Sequence, residues 1–174
     1  MTQTDFRRLA ERRVVLLDGA TGTELVKRGM PAGVSPELWV LEHPEAIRAV
    51  HRAYREAGSH IVYAPTFGGN PLKLAEFGLE ARTEEINSSL VRLCKEQSGD
   101  LPVFGDVAPT GQLVEPYGAL GFEDCVKLYK RQIRALISGG ADGIVIETML
   151  DLQEARAALI AARALHQNRN LCRL

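Results

Sequence analysis

Four polar residues follow or end short apolar runs of the sequence, and their side chains could bind a charged ligand. They are Asp18, Thr66, Asp106 and Glu147. Three carboxylates and a hydroxyl that share one pocket would suit a small cationic or amino-bearing ligand. The backbone N–H groups at a predicted helix start, Thr21–Thr23, could donate to a carboxylate group. Together these groups predict a site for an amino acid.

The elements that must position these residues alternate along the chain as strand and helix. Strands are predicted over Val14–Leu17, His60–Ala64, Pro102–Gly105 and Gly143–Ile146. Helical patterns are predicted over Asp5–Arg12, Thr21–Lys27, Pro44–Ala57, Pro71–Phe77, a segment capped by Thr83, Phe122–Ser138 and a segment capped by Asp151. This order predicts parallel strands joined by right-handed crossovers. The carboxyl ends of such strands converge on one face, which would bring the four polar residues together.

The first predicted strand and the turn after it place Asp18, the first of the four polar residues. Val14–Leu17 is apolar and rich in β-formers, which predicts a strand buried on both faces. Asp18-Gly19 is a turn signal, and the alternative interpretation is that Asp18 serves only this turn. Gly29–Pro36 is predicted to be a loop, and Leu171–Leu174 to begin a fifth strand.

Composition narrows the class of protein. The chain has 174 residues, of which 45% are hydrophobic and 25% charged, with a formal net charge of −1. These values are typical of a soluble globular domain, and no basic excess indicates binding to nucleic acid or an anionic membrane. The charged N-terminus and the absence of a long apolar run predict a cytoplasmic protein with one domain over residues 1–174.

Five motifs make the prediction more specific. They are Asp-Gly-Ala-Thr-Gly-Thr-Glu-Leu (18–25), Glu-His-Pro-Glu-Ala-Ile (42–47), Ala-Pro-Thr-Phe-Gly-Gly-Asn (64–70), Gly-Asp-Val-Ala-Pro-Thr-Gly (105–111) and Ala-Asp-Gly-Ile-Val-Ile-Glu-Thr-Met (141–149). From about Arg12 to Ala164 the chain resembles the homocysteine S-methyltransferase domain. Leu113–Tyr117 is most similar to the cobalamin-dependent methionine synthase branch of that family.

The resemblance implies a (β/α)₈ TIM barrel, of which this chain would supply about the first four β/α units. It implies homocysteine as substrate, a Zn²⁺ ion that holds the substrate sulfur as a thiolate, and methionine as product. The methyl donor would be a methylated corrinoid such as methylcobalamin, and the partner a corrinoid protein or domain.

The resemblance also assigns substrate-binding residues. Asp18 and Glu147 match the acids near the homocysteine amino group, and Thr66 matches a residue of the same pocket. Gly19, Ala20 and Thr21 match the loop near the carboxylate, while Asp106 faces the site by its strand position. The resemblance assigns no catalytic residue to this chain.

The zinc ligands are the main departure from the family. In the family, three cysteines from later strands bind the metal. Here Cys94 and Cys125 lie in helical patterns and Cys172 lies near the chain end, so no metal ligand is predicted. A four-unit barrel would also leave an open sheet edge, from which we expect self-association.

Three functions therefore remain open from the sequence. The first is methyl transfer to the homocysteine thiol, incomplete in this chain. The second is a non-catalytic amino-acid-binding or assembly half-barrel that needs a partner chain. The third is a different α/β enzyme that uses Asp106 and Glu147 as acid and base, although no nucleophile or cofactor motif accompanies them.

Overall fold

A parallel β-sheet forms the centre of the chain. The computed structural model describes residues 3–166 and 172–173. The strands are β1 (Val62–Ala64), β2 (Val103–Val107), β3 (Gly143–Ile146) and β4 (Cys172–Arg173). They pair in the order β1-β2-β3-β4, and every pair is parallel. The predicted α/β class with parallel strands is confirmed.

Helices connect the strands and cover the sheet. They are α1 (Gln3–Arg12), α2 (Thr21–Lys27), α3 (Pro36–Glu42), α4 (Pro44–Glu56), α5 (Pro71–Ala75), α6 (Thr83–Gln97), α7 (Phe122–Gly139) and α8 (Leu152–His166). A short 3₁₀ helix, Glu80–Arg82, precedes α6. Helix α7 packs between α6 and α8. It buries Tyr129, Ile133 and Leu136 completely, as its apolar spacing predicts.

Two glycines allow close packing around α7. A Cβ atom on Gly105 of β2 would lie 2.8 Å from the Leu136 side chain, and one on Gly139 would lie 2.7 Å from the Ser88 carbonyl oxygen. Both positions therefore require glycine for steric reasons. They set the distance of α7 from the sheet and from α6.

The predicted first strand, Val14–Leu17, is wrong as a strand buried on both faces. Only Leu17 forms a bridge, a parallel one with Ile61, and Val14 is 79% exposed. The segment bonds along one edge only, where the Leu16 carbonyl accepts from the His60 N–H at 2.7 Å. No strand within the described residues covers its other edge. Val14, Leu16 and Leu17 are exposed, whereas Val15 is partly buried against Ile61 and Phe104. The pairing nevertheless places Asp18 beside β1.

Three further boundaries differ from the prediction. Helix α3 was not predicted, and it begins at Pro36 because the Ser35 hydroxyl accepts from the Leu38 N–H and proline fits the first helical position. Thr83 is the first residue of α6 rather than its cap, since its hydroxyl donates to the Glu80 carbonyl. Strand β2 continues to Val107, so Asp106 lies within the strand.

The predicted fifth strand is described only in part. Cys172 and Arg173 pair with Gly143 and Ile144 of β3, whereas Leu171 and Leu174 lie outside the described residues.

One buried carboxylate fixes the long loop after β2. Glu154 of α8 is buried, and its Oε1 accepts from the Thr110 N–H at 2.7 Å, the Thr110 hydroxyl at 2.6 Å and the Tyr129 hydroxyl at 2.9 Å. Nearby, Asp151 Oδ2 accepts from the Val114 N–H at 3.0 Å. These bonds attach the loop to α7 and α8 at the same end of the sheet as the strand tips.

Removal of the Tyr129 hydroxyl should destabilise the fold. We expect Tyr129→Phe to lower the free energy of unfolding by about 1–3 kcal/mol, because the buried Glu154 carboxylate loses one donor. Chemical denaturation followed by circular dichroism measures this change. Tyr117→Phe is the matched control, since Tyr117 is exposed and should change stability little. Equal losses in the two variants would contradict the role given to Glu154.

Candidate functional site

A cavity of about 590 Å³ opens at the carboxyl ends of the strands. Its walls come from the segment after the Leu17 bridge, the start of α3, the β1–α5 connection and the ends of β2 and β3. The lining residues are Asp18, Gly19, Ala20, Thr21, Gly22, Leu25, Pro36, Glu37, Tyr63, Ala64, Pro65, Phe67, Gly68, Lys73, Glu76, Phe77, Asp106 and Glu147. The carboxyl ends of parallel strands are the usual place for ligands in α/β proteins.

Asp18 is held against β1 by its backbone and its side chain. Its N–H donates to the Ile61 carbonyl at 3.0 Å, and its Oδ2 accepts from the Tyr63 N–H at 2.8 Å. Its Oδ1 is buried and has no hydrogen-bond partner among the described residues. Burial raises the pKa of Asp18 to about 7, against the lowering effect of the Tyr63 N–H, and the Glu147 carboxylate adds to the rise. One buried oxygen of Asp18 at the cavity wall is therefore left without a partner among the described residues.

Asp106 is the most deeply buried of the predicted acids. It is 6% exposed, and its Oδ1 finds no hydrogen-bond partner in the part of the chain that the structure describes. Burial raises the pKa of Asp106 to about 8, and the carboxylates of Glu147, Asp18 and Glu37 raise it further. Four acidic groups thus interact around one cavity, which favours a cationic ligand.

Glu147 reaches the cavity from the end of β3. Its N–H donates to the Val107 carbonyl at 3.0 Å, which continues the pairing of β3 with β2, and its side chain is half-buried. The next residue, Thr148, has a φ of 56°. This left-handed conformation is unfavourable for a β-branched residue, and such strain concentrates at functional sites. The chain therefore turns sharply just after it has placed Glu147.

Thr66, which the resemblance assigns to the substrate pocket, is not among the residues that line the cavity. Thr66 is fully buried, and its hydroxyl donates to the Asp106 carbonyl at 2.8 Å and accepts from the Asp106 N–H at 3.0 Å. Gln132 of α7 donates to the Thr66 carbonyl at 2.9 Å. Thr66 therefore holds the end of β2 behind the cavity wall.

The other predicted residues meet in the cavity. Asp18, Gly19, Ala20, Thr21, Asp106 and Glu147 all line it. The segment after Asp18 is supported by Tyr54, whose hydroxyl donates to the Ala20 carbonyl at 3.3 Å. No side chain caps the N-terminus of α2 at Ala20, and the first residues of this helix, Thr21 and Gly22, line the cavity. Their contact with a substrate remains a prediction.

Sequence reasoning missed two acids that line the cavity, Glu37 and Glu76, together with its aromatic residues and Lys73. Glu37 is buried beside the predicted acids, and Lys73 pairs with Glu76 at 2.9 Å on α5. Ser35-Pro36-Glu37 is a helix start signal that could have located Glu37. The sequence around Lys73 does not indicate where its side chain would lie, because the five-residue helix α5 is too short to show a helical repeat of apolar residues.

The described residues do not fit a zinc ion held by thiolates. Cys94 and Cys125 are both buried, in α6 and α7, and burial raises the pKa of each thiol. A thiol with a raised pKa is a poor source of the thiolate that binds zinc. Within residues 3–166 and 172–173 no group of three or more His, Cys, Asp or Glu side chains is arranged for a metal.

No helix among the described residues is both long and apolar enough to cross a membrane.

The raised pKa of Asp106 predicts a pH-dependent stability. An unfolded Asp has an ordinary pKa near 3.8, whereas the folded group titrates near 8, so the folded state binds more protons between these values. Protonation of Asp106 therefore stabilises the folded state fully below pH 3.8, and this stabilisation is lost as the pH rises to about 8. Asp106→Asn mimics the protonated acid, and we expect it to raise the free energy of unfolding at pH 8 and to reduce the loss between pH 5 and 8. Urea denaturation at several pH values measures both quantities.

The control for this titration is Asp100→Asn, at an exposed position. It should leave the pH dependence of the wild type unchanged. Part of the loss should remain in Asp106→Asn, because the pKa of Asp18 is raised as well. A loss in Asp106→Asn as large as in the wild type would contradict the assignment.

The cysteine environments predict little bound zinc. We expect the purified 174-residue chain to retain well below one zinc per chain after dialysis against a weak chelator, as measured by elemental analysis. Cys94→Ser should not change the zinc content, because this thiol is enclosed in the core. About one zinc per chain, lost in any one cysteine variant, would show that the chain has a metal site of its own.

Comparison with known proteins gives a consistent result. The family model for homocysteine S-methyltransferase matches residues 15–172. The metallated form of the homocysteine methyltransferase MmuM from Escherichia coli is similar, with 29% identity and a TM-score of 0.76, over 91% of this chain and 62% of that chain. Its oxidized form gives 28% identity and a TM-score of 0.76, over 92% and 62% of the two chains.

The apo form of MmuM gives 27% identity and a TM-score of 0.67, over 90% of this chain and 57% of that chain. The present chain thus spans about three fifths of the length of these relatives. Since the family model matches nearly the whole sequence, from residue 15 to residue 172, the chain belongs to the homocysteine S-methyltransferase family.

Proposed function

We propose that this chain supplies the amino-acid-binding part of an enzyme that transfers a methyl group to the thiol of homocysteine and so forms methionine. The observation that carries the proposal is the cavity at the strand ends, where Asp18 and Asp106 each present a buried carboxylate oxygen without a partner among the described residues. Family membership supplies the class of reaction.

The acids would bind the substrate ammonium group. Asp18, Asp106 and Glu147 interact electrostatically with one another, and their mutual repulsion adds to the pKa of Asp106. A cation between them removes that repulsion, so binding of an ammonium group should favour the ionised acids. An amino acid without the positive charge would gain nothing from this arrangement.

The opposite end of the substrate would face the turn before α2. Gly19, Ala20 and Thr21 bring backbone groups to the cavity wall, and Ala20 offers no side chain that would cap the helix instead. Backbone N–H groups at such a position can donate to a carboxylate. The two ends of an amino acid would then fix which way its side chain points.

The reaction itself needs groups beyond those described. In the transfer, a carbon–sulfur bond forms as the bond between the methyl carbon and its donor breaks, and the thiol loses its proton. The described residues do not fit a thiolate-bound zinc, so we assign them to substrate binding only. We propose a (β/α)₈ barrel whose remaining strands would carry the metal ligands, and a methylated corrinoid as donor.

The edge formed by residues 14–17 fits this proposal. Val14, Leu16 and Leu17 are exposed on a segment that is paired along one side only. An extended segment with a free edge and apolar side chains is a place where another strand can add. We propose that further strands of the barrel cover it, and that the 174-residue chain alone self-associates there.

A charge-removing variant at the strand tip tests the substrate proposal. We expect Glu147→Gln to weaken binding of L-homocysteine by about tenfold or more, because a charge-assisted hydrogen bond is lost in a partly buried site. Isothermal titration calorimetry measures the dissociation constant. Glu80→Gln is the control, as Glu80 is an exposed residue outside the cavity. The assignment fails if both variants bind alike.

Methionine formation is the test of the reaction. The chain is mixed with L-homocysteine, zinc and methylcobalamin, and methionine is measured by mass spectrometry. We expect the chain on its own to bind homocysteine and to form no methionine, because its described residues do not fit a thiolate-bound zinc. Methionine formation would contradict the assignment of this chain to substrate binding only, and an absence of homocysteine binding would contradict the proposed function.

A further inference from the structure

Glu37 is a buried acid of the cavity, and the substrate proposal leaves it without a role. It is 3% exposed, and it lines the cavity together with Asp106, whose carboxylate it repels. Buried charges are costly unless hydrogen bonds compensate them. The bonds that surround Glu37 therefore indicate what the residue does.

Both carboxylate oxygens of Glu37 already have donors. The Gly68 N–H donates to Oε1 at 2.8 Å, and the Ser35 hydroxyl donates to Oε2 at 2.9 Å. Burial raises the pKa of Glu37, whereas hydrogen bonds from its own backbone N–H, Ser35 and Gly68 oppose that rise. Asp18 and Asp106 differ, because each keeps one buried oxygen without a partner among the described residues. Glu37 is thus committed to protein groups, and the other two acids are not.

The bond to Gly68 connects two walls that are distant in sequence. Glu37 lies in the first turn of α3, and Gly68 lies 31 residues later in the connection from β1 to α5. A Cβ atom on Gly68 would lie 2.7 Å from Glu37 Oε1, so a side chain at this position would have to displace the Glu37 carboxylate. Phe67 and Gly68 form the cavity wall at this point.

The far side of the same connection is held by other groups. Asn87 of α6 donates to the Gly69 carbonyl at 2.7 Å, and the Thr66 hydroxyl bonds to the backbone of Asp106. These bonds lie in the interior, behind the wall. Among the described residues, the bond from Gly68 to Glu37 is the side-chain bond that holds the connection from the cavity side.

We propose that Glu37 is a positioning residue, which fixes the Phe67–Gly68 wall of the cavity through the Gly68 N–H and so sets the shape into which the amino acid fits. The inference rests on the proposed function for its ligand. For this role the Glu37 side chain must offer a hydrogen-bond acceptor to the Gly68 N–H, and it does not need a negative charge. This distinguishes Glu37 from Asp106 and Glu147, where the charge itself would contact the ligand.

Two substitutions at Glu37 distinguish the effect of its hydrogen bond to the cavity wall from the effect of its negative charge. Glu37→Gln keeps an acceptor for the Gly68 N–H and offers its amide to the Ser35 hydroxyl, whereas Glu37→Ala loses both bonds. We expect Glu37→Ala to weaken L-homocysteine binding by about tenfold and Glu37→Gln by less than about threefold, as measured by calorimetry. Glu42→Ala is the control, because Glu42 is exposed at the other end of α3 and should bind like wild type.

Hydrogen–deuterium exchange of the peptide that contains Gly68 tests the same inference without a ligand. We expect exchange to rise about tenfold in Glu37→Ala and to stay near the wild-type rate in Glu37→Gln and Glu42→Ala. Circular dichroism identifies any variant that fails to fold, and in that case Glu37→Gln alone decides the outcome. It supports the proposal if it preserves both binding and protection.

Two results would overturn the proposal. One is a loss of binding in Glu37→Gln as large as in Glu37→Ala, which would make the charge the essential property. The other is unchanged exchange at Gly68 in a folded Glu37→Ala. If wild type binds no L-homocysteine, the proposed function fails, and the exchange measurement still decides whether Glu37 holds the wall.

Discussion

Several carboxylates lie close together in a largely buried cavity, and the rest of the structure depends on this constraint. Parallel strands end at one edge, and this edge carries Asp106 within β2, Glu147 after β3 and Asp18 beside β1. Burial and mutual repulsion both oppose ionisation there, and the pKa of Asp106 rises to about 8 as a result. A protein that keeps such a cluster accepts a loss of stability near neutral pH. A cation of matching size would remove this repulsion, and this is the basis of our proposal that the cavity binds an ammonium group.

The scaffold around the cluster uses neutral polar groups to hold it in place. Thr66 bonds to both backbone groups of Asp106, and Gln132 reaches the Thr66 carbonyl from α7. Asn87 of α6 fixes the Gly69 carbonyl in the same way. These side chains carry no charge, so they position the acids without adding to the repulsion or neutralising it. The acids keep free oxygens because other residues supply the bonds that fix the backbone.

Under our proposal, the groups that bind the substrate and those that bind the metal lie in different parts of the fold. The groups suited to an amino acid lie together in one cavity, whereas Cys94 and Cys125 are enclosed between helices and the sheet. The chain covers about three fifths of the length of MmuM, and one edge of its described sheet, at residues 14–17, is only half paired. Under our proposal the barrel would join two functions from different parts of the fold. The binding part can then be studied in the shorter chain, free of the metal chemistry.

The sequence by itself determined the class of fold, most of the helices and strands, and the edge of the sheet at which the site lies. Short apolar runs that alternate with helical patterns require parallel strands, and polar residues at the run ends must then share an edge; Asp18, Asp106 and Glu147 do line one cavity. Tertiary structure alone decided the rest. Val14–Leu17 has the composition of a buried strand, yet burial depends on neighbours, and a neighbour is described on one side only. The place of Thr66 behind the cavity wall and that of Glu37 in the cavity were undetermined by the sequence for a similar reason. A local pattern shows that a hydroxyl or a carboxylate is present, but the partner that engages it lies 40 residues away for Thr66 and 31 residues away for Glu37, and only the folded chain brings that partner within hydrogen-bond distance.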